Sequence, residues 1–203
     1  HTFSIADDDG TRNVDFTAAS SNADEATTPI TLTIQITGTS TGTQTVDYVV
    51  SGTATGGNDY TLANGTATII APASSTTIDV LVIDDALNEA DETIILTLSN
   101  PSPGMNLGPN AVHTYTINDN DAPPTIAFTS NTGSGTEGTS SPNLELTLSA
   151  VSGQDVTVAF SNTGGSATSG GVDFSLSAGT ATITAGNTTT NINPTVIDDS
   201  GIE

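Results

Sequence analysis

The stretch Ile30-Thr-Leu-Thr-Ile-Gln-Ile36 alternates apolar and polar side chains at every position. Because successive side chains of a β-strand point to opposite faces, this alternation predicts a strand with one buried face and one polar face. Short segments elsewhere carry strand patterns of the same kind, and we predict strands over 13–17, 44–50, 66–70, 78–82, 94–98 and 112–117. No segment shows helical periodicity with caps. Seven short strands within about 110 residues predict an all-β fold, a seven-stranded antiparallel β-sandwich of the immunoglobulin-like type.

The chain also repeats itself. The first nine residues, His1-Thr-Phe-Ser-Ile-Ala-Asp-Asp-Asp9, match His113-Thr-Tyr-Thr-Ile-Asn-Asp-Asn-Asp121 at an offset of 112 residues. Three more blocks recur in the same order at an offset of 114, for example Gly65-Thr-Ala-Thr-Ile69 and Gly179-Thr-Ala-Thr-Ile183. Self-similarity at a fixed period indicates tandem structural repeats. We therefore predict the last strand of a preceding repeat over 1–9, a complete repeat over 10–121, and an incomplete repeat lacking its last two strands over 124–203.

The charge balance limits the possible partners. The chain has 23 Asp and Glu residues and one Lys or Arg, which is Arg12, for a formal net charge of -22. A chain without lysine cannot neutralise phosphates, so nucleic acid is excluded as a partner. No apolar run approaches the roughly 20 residues that span a bilayer, so direct membrane insertion is excluded as well. Cys is absent and only two His are present, which argues against zinc.

The acidic residues are placed rather than scattered. The outward faces of the predicted strands carry mainly Thr, and only five acidic residues fall within predicted strands: Asp15, Asp47, Asp79, Glu145 and Asp155. The others lie in connectors or at strand ends. In a seven-stranded sandwich, the connectors that hold Glu25, Asp59 and 84–92 lie at the same end as 118–121, which follows the last strand. Solvated turns are the simpler explanation for one Asp pair, but four converging clusters favour Ca²⁺, which takes six to eight oxygen ligands, over Mg²⁺.

The motifs of the complete repeat resemble those of the Calx-beta domain family. They are Asp59-Tyr60, Gly65-Thr-Ala-Thr-Ile69, Ile83-Asp-Asp85, Glu89-Ala-Asp-Glu92, Leu98-Ser-Asn-Pro101, Leu107-Gly108 and Thr116-Ile-Asn-Asp-Asn-Asp121. The resemblance covers nearly the whole chain and implies a β-sandwich with clustered Ca²⁺ ions at one end. It implies ligands at Glu25, Asp59, Asp84, Asp85, Glu89, Glu92, Asp119 and Asp121, with Asn118 and Asn120 as neutral oxygen donors. Matching positions in the flanking repeats are Asp7, Asp8, Asp9, Glu137, Asp173, Asp198, Asp199 and Glu203.

The last acidic cluster departs from the family pattern. Calcium sensors of the family carry three Asp after the last strand, whereas this repeat has Asn118-Asp-Asn-Asp121. Fewer carboxylates lower the affinity for Ca²⁺ or the number of ions bound. We therefore expect weaker binding or fewer ions here than in the family's calcium sensors.

An enzyme is not expected. The two histidines, His1 and His113, occupy the same repeat position beside Phe3 and Tyr115, where strand-start packing explains them. No Gly-x-Ser-x-Gly nucleophile motif is present, and a glycosidase or a carbohydrate-binding module would want aromatic platforms, whereas Trp is absent.

The resemblance leaves a choice between several roles. Family members occur in sodium–calcium exchangers, in integrin β4 and as long arrays in bacterial surface proteins. A single Arg and Thr-rich repeats favour a Ca²⁺-binding structural repeat of an extracellular or bacterial cell-surface protein, such as an adhesin, filament or matrix stalk, in which Ca²⁺ rigidifies the junctions between repeats. The partners expected are neighbouring repeats, other copies in a filament, and a surface glycan or protein. A Ca²⁺-dependent carbohydrate- or protein-binding module and a regulatory Ca²⁺ sensor are the alternatives.

Overall fold

The computed structural model describes residues 1–3, 12–38, 42–138 and 142–198, and every regular element in these ranges is a β-strand. The chain divides into two compact units, of which the first holds β1–β10 and the second β11–β17. Within the described ranges there is no helix long and apolar enough to cross a membrane. The all-β class predicted from the alternation of side chains is confirmed.

The first unit contains all seven predicted strands and three short additional ones. The predicted strands are β1 Arg12–Phe16, β3 Ile30–Ile36, β4 Gln44–Gly52, β6 Gly65–Ile69, β7 Ser75–Val82, β8 Glu92–Ser99 and β10 Val112–Asn118. The additional strands are β2 Ser20–Asp24, β5 Tyr60–Thr61 and β9 Met105–Leu107. None of the three has the apolar alternation that the prediction relied on.

These ten strands form two five-stranded sheets, in the orders β5-β7-β3-β1-β9 and β2-β10-β8-β4-β6. Most neighbouring strands are antiparallel, as predicted. The edge strands β9 and β2 instead run parallel to β1 and β10. The chain changes sheets between β1 and β2, which are separated by residues 17–19. Because β2 and β10 run parallel, their C-terminal ends lie side by side at the same end of the sheet.

The inward side chains of the two sheets form one core. Alternate residues of β3 are buried, and Ile34 at its centre is fully inaccessible to solvent. Ile94 and Leu96 of β8 supply the opposite sheet and are equally inaccessible. Fully burying an aliphatic side chain of this size contributes about 1.5–3 kcal/mol. The hydrophobic effect along the two inner faces therefore holds the sheets together without disulfides or aromatic clusters.

The second unit builds smaller sheets from the repeated blocks. Its strands are β11 Ile126–Phe128, β12 Leu144–Leu148, β13 Val156–Phe160, β14 Phe174–Ser175, β15 Gly179–Ile183, β16 Thr189–Ile192 and β17 Thr195–Val196. They form the sheets β11-β12-β16, β13-β15 and β14-β17. Five buried hydrophobic residues make up its core: Leu146, Leu148, Ala181, Ile183 and Ile192.

One packing detail recurs in both units and confirms how the repeats align. Tyr48 lies opposite Gly65 in the β4–β6 pair, and Phe160 lies opposite Gly179 in the β13–β15 pair. A Cβ added at Gly65 would lie 2.7 Å from the Tyr48 hydroxyl oxygen, and one at Gly179 would lie 3.1 Å from Cζ of Phe160. An aromatic ring that covers the bare backbone of a cross-strand glycine explains why both blocks begin with glycine.

Candidate calcium site

The first carboxylate group forms where β2 and β10 end side by side. Glu25 directly follows β2, and Asp119 and Asp121 follow β10. The backbone N–H of Glu25 continues the pairing by donating to the Asn118 carbonyl at 3.2 Å. Each of the three acids offers one carboxylate oxygen, and these oxygens all lie within 4.8 Å of one another. The parallel pairing of β2 with β10 thus brings Glu25 close to Asp119 and Asp121, from which it is distant in the sequence.

Burial distinguishes this group from an ordinary acidic surface. Glu25 is only 8% exposed, and the Oδ1 atom of Asp119 and the Oδ2 atom of Asp121 are buried from solvent. Carboxylates at such short separation repel one another, and the repulsion grows when water is excluded. A bound cation converts this repulsion into attraction. The group is therefore suited to hold a metal ion.

A second group of three acids comprises Asp59, Glu89 and Glu92, whose nearest carboxylate oxygens also lie within 4.8 Å. Asp59 precedes β5, and Glu92 is the first residue of β8. The carbonyl of Asp59 accepts a hydrogen bond from the Ile83 N–H at 2.9 Å, and its side chain accepts one from the Thr55 N–H. These backbone donors orient the Asp59 carboxylate within its loop.

The remaining predicted ligands of the complete repeat lie beside these two groups. The Asn120 side chain donates from Nδ2 to Oδ1 of Asp84 at 3.3 Å, and the Asn120 backbone N–H donates to Oε1 of Glu25 at 3.4 Å. Asp84 and Asp85 are exposed, and neither belongs to a group of three. Asn120 therefore donates hydrogen bonds to two of the predicted ligands, and its role as a neutral oxygen donor stays a prediction. The assignment of individual ligands stays a prediction.

The matching residues of the second unit are only partly brought together. Asp173 repeats the contacts of Asp59, because its carbonyl accepts the Ile197 N–H at 2.9 Å and its side chain accepts the Thr168 N–H. The Oδ2 atom of Asp198 lies near Gly138, next to Glu137 in the chain. Among the described residues from 124 to 198, no three acids form such a group. Asp7, Asp8, Asp9, Asp199 and Glu203 lie outside the described residues.

Two residues that support the site were not predicted. Oδ1 of Asp91 accepts the backbone N–H of Asp119 at 3.1 Å, and Nδ2 of Asn88 donates to the Asp121 carbonyl at 3.2 Å. Both lie in the connector between β7 and β8 and position the backbone beside predicted ligands. Asp91 lies within the motif Glu89-Ala-Asp-Glu92, so its position in the sequence was a usable signal. Asn88 carried none.

One titration effect accompanies the end of β2. Burial raises the pKa of the Tyr115 phenol above its ordinary value of 10.0, and the negative charge of Asp24 raises it further. Tyr115 therefore stays neutral at physiological pH beside the acidic groups. It does not add to their negative charge.

The donor set fits a hard cation. The side-chain atoms that could bind a metal in the two groups are all carboxylate oxygens. Ca²⁺ takes six to eight oxygen ligands in a flexible geometry. Zinc sites use thiolates and imidazoles, whereas this chain lacks Cys, and its two histidines are absent from both groups. With a single Arg in the chain, internal ion pairs cannot neutralise 23 acidic residues. The acidic groups are thus able to hold Ca²⁺.

Comparison with known proteins agrees with this fold and chemistry. The sequence profile of the Calx-beta domain matches residues 7–121 and 119–203, and the chain therefore belongs to the Calx-beta domain family as two adjacent repeats. Calx-beta domains are calcium-binding modules with binding and regulatory roles. The family resemblance inferred from the motifs is confirmed.

Solved structures support the same fold. The apo form of the Calx CBD1 domain is similar to this chain with a TM-score of 0.52 and 25% identity, over 55% of this chain and 100% of that one. The two-domain CBD12 of CALX1.2 is similar with a TM-score of 0.52 and 21% identity, over 91% of this chain and 74% of that one. The calcium-binding domain CBD12 of CALX1.1 gives 0.52 and 21%, over 92% and 76%. The tandem β-sandwich architecture is therefore shared with solved Calx-beta pairs.

Proposed function

We propose that this chain is a Ca²⁺-binding structural segment of a large extracellular or cell-surface protein. In this role, cation binding rigidifies the connections between successive repeats and turns a flexible string into a stiff stalk. The observation that carries the proposal is the pair of carboxylate groups, each with three acids within 4.8 Å, in a chain with one basic side chain. The role needs no catalytic centre, and its partners are neighbouring repeats, other copies in a filament, or a ligand on another surface.

The charge of the chain supports a structural role for the cation. Without metal, the acids of each group repel one another and strain the loops that carry them. With Ca²⁺ bound, the same loops are joined through shared ligands, and the folded state is stabilised by the free energy of binding. Extracellular fluids contain millimolar Ca²⁺, so a site of modest affinity, which the Asn residues of 118–121 favour, is occupied there.

Calorimetric titration of the purified chain with Ca²⁺ tests the binding claim. We expect Glu25→Gln and Asp119→Asn each to weaken binding about tenfold or more, because each removes a charged ligand. The matched control is Asp79→Asn, which removes an exposed carboxylate that bonds Thr31 on β3, away from both groups. Mg²⁺ should bind more weakly than Ca²⁺. The proposal fails if the wild-type chain binds no Ca²⁺ at millimolar concentration.

Small-angle scattering tests the stalk. We expect the maximum dimension to increase or its distribution to narrow when Ca²⁺ is added, and the change to reverse with a chelator. The Glu25→Gln variant provides the control for non-specific salt effects. Identical scattering curves with and without Ca²⁺, in a chain shown to bind the ion, would rule out a stiffening role.

A further inference from the structure

His113 is a buried polar side chain for which the proposed function gives no role. It lies on β10, is 3% exposed, and packs against the Phe16 ring with a centroid distance of 5.4 Å. Its Nδ1 lies 2.7 Å from the Ala18 carbonyl oxygen, and its Nε2 lies 2.9 Å from Oγ of Ser21. Because a carbonyl only accepts, Nδ1 carries the proton. Nε2 and the Ser21 hydroxyl form the second hydrogen bond, in which the hydroxyl can donate or accept.

These two hydrogen bonds join His113 to the segment from Ala18 to Ser21, which leads along β2 to Glu25. Ala18 lies in the connector where the chain leaves β1 and changes sheets, and Ser21 lies in β2. Among the described strands, β2 lies at the edge of its sheet, with β10 as its single neighbour. Most of its residues are exposed, and only Ala23 packs against the core. Apolar burial therefore holds β2 weakly, which leaves its position to hydrogen bonds.

The register of β2 decides where Glu25 lies. Five pairs join the strands in parallel, from Ser20 opposite Thr114 to Asp24 opposite Asn118. A slip by one residue would shift Glu25 by about 3.3 Å and turn its side chain to the other face of the sheet. Such a slip would remove Glu25 from the group whose oxygens lie within 4.8 Å. The Asn22 and Ala23 side chains offer no alternative means of fixing the register, because one is exposed and the other is a single methyl group.

We propose that His113 and Ser21 are positioning residues for the cation site. Through their hydrogen bond and the bond of His113 to Ala18, they set the register of β2 on β10 and place the Glu25 carboxylate beside Asp119. The inference rests on the proposed Ca²⁺ binding. It adds the hydrogen bonds that position Glu25 at the other end of the strand pair. His113 and Ser21 do not contact the ion.

Ser21→Ala tests the inference with the smallest change, because Ser21 is exposed and its replacement removes only the hydroxyl group that bonds Nε2. We expect calorimetry to show a Ca²⁺ dissociation constant raised about threefold to tenfold, the range that one hydrogen bond contributes. Ser21→Thr keeps the hydroxyl and should restore the wild-type value. His113→Asn retains a donor but is too short to reach both partners, and we expect the same direction of change.

The control is Ser102→Ala, in the loop between β8 and β9, whose side chain bonds β4 of the same sheet. Oγ of Ser102 accepts the Thr45 N–H at 2.7 Å, so this variant also loses a side-chain hydrogen bond. We expect it to lower the melting temperature in chelator as Ser21→Ala does, while leaving the dissociation constant unchanged. In a Glu25→Gln background, Ser21→Ala should have no further effect on Ca²⁺ binding, because the ligand that it positions is already lost.

The outcomes separate the two proposals. If the wild-type chain binds Ca²⁺ and Ser21→Ala binds it with the same dissociation constant, the positioning role is wrong and the proposed function stands. An equal loss in the wild-type and Glu25→Gln backgrounds would also overturn the positioning role. If the wild-type chain binds no Ca²⁺, both proposals fail.

Discussion

The two units contain matching sequence blocks but differ in the size of their sheets and of their hydrophobic cores. In the first, ten strands form two five-stranded sheets around twenty buried hydrophobic residues, whereas the described part of the second has five such residues and sheets of two or three strands. The blocks themselves fold alike in both, as the β4–β6 and β13–β15 pairs show. The first unit, however, also has β8 and β10, which have no counterpart among the described residues of the second.

This difference shows which strands are needed to bring the acidic residues together. The two groups use Glu92 at the start of β8 and Asp119 and Asp121 after β10. Asp173 in the second unit keeps the local contacts of Asp59, yet it belongs to no group of three acids among the described residues. Local loop structure is thus set by each repeated block, while a group of acids requires the central strands that bring the loops together.

The largest effect that sharpens this comparison concerns two equivalent glycines. Gly52 and Gly164 have φ values of 132° and 135°, and both conformations disfavour any side chain. A Cβ at Gly52 would also lie 2.0 Å from the Thr93 carbonyl oxygen on β8, whereas a Cβ at Gly164 would meet no atom within 4 Å. We expect Gly164→Ala to cost about 1–2 kcal/mol from backbone strain and Gly52→Ala about 3 kcal/mol or more. Hydrogen exchange resolved by peptide measures each unit separately, and equal losses would contradict the packing argument.

We expect Ca²⁺ binding to stabilise the first unit more than the second. At a Ca²⁺ concentration of 100 times the dissociation constant, binding stabilises a folded unit by about 2.7 kcal/mol. We expect slower hydrogen exchange in peptides that cover β2, β8 and β10, and less change in peptides that cover β13 and β15. Asp119→Asn should reduce the effect in the first unit only. Equal protection of both units by Ca²⁺ would mean that the second unit assembles a site from residues outside those described.

The smallest effect concerns a cross-strand pair that only the first unit has. Asp47 lies opposite Thr66, and hydrogen bonds from Thr66 and then Asn100 lower the pKa of its carboxyl below the ordinary 3.8. The equivalent pair of the second unit is Ala159 opposite Thr180. Because the folded pKa is depressed, the stabilisation by Asp47 is fully present above pH 3.8 and is lost as the pH falls through the lowered pKa.

We therefore expect Asp47→Ala to lower the stability of the first unit at pH 6, by a small amount because the Asp47 side chain is only partly buried, and to have a smaller effect at pH 2. Chemical denaturation at both pH values checks this, with Asp155→Ala in the second unit as a comparison. An equal loss of stability at pH 6 and pH 2 would show that packing rather than charge explains the effect.

The strands with an alternating buried face were predictable from the sequence, and the short edge strands β2, β5 and β9 were not. Strands such as β3 and β7 alternate because one face is buried against the opposite sheet. The edge strands β2 and β9, with the sequences Ser-Ser-Asn-Ala-Asp and Met-Asn-Leu, form because unpaired backbone groups of β10 and β1 are available beside them. Backbone pairing does not depend on side-chain identity, so these strands leave no pattern to read.

For the site, placement was predictable and grouping was not. The acidic loops could be found because carboxylates interrupt a Thr-rich pattern at strand ends. That Glu25 joins Asp119 and Asp121, while Asp59 joins Glu89 and Glu92, follows from which strands are neighbours. The role of Asn88 as a support was also out of reach, since a hydrogen bond to a distant backbone group has no periodic signature.

By itself, the sequence determined the all-β class, the tandem repeat, the family and the loops that carry negative charge. These properties are local or repeat at a fixed spacing, so hydrophobic periodicity and self-similarity reveal them. Only the tertiary structure decided that β2 runs parallel to β10, that His113 ties them together, and that six acids divide into two groups. These properties arise from contacts between residues as much as 95 positions apart, and such contacts depend on the assembled sheets rather than on any short stretch of chain.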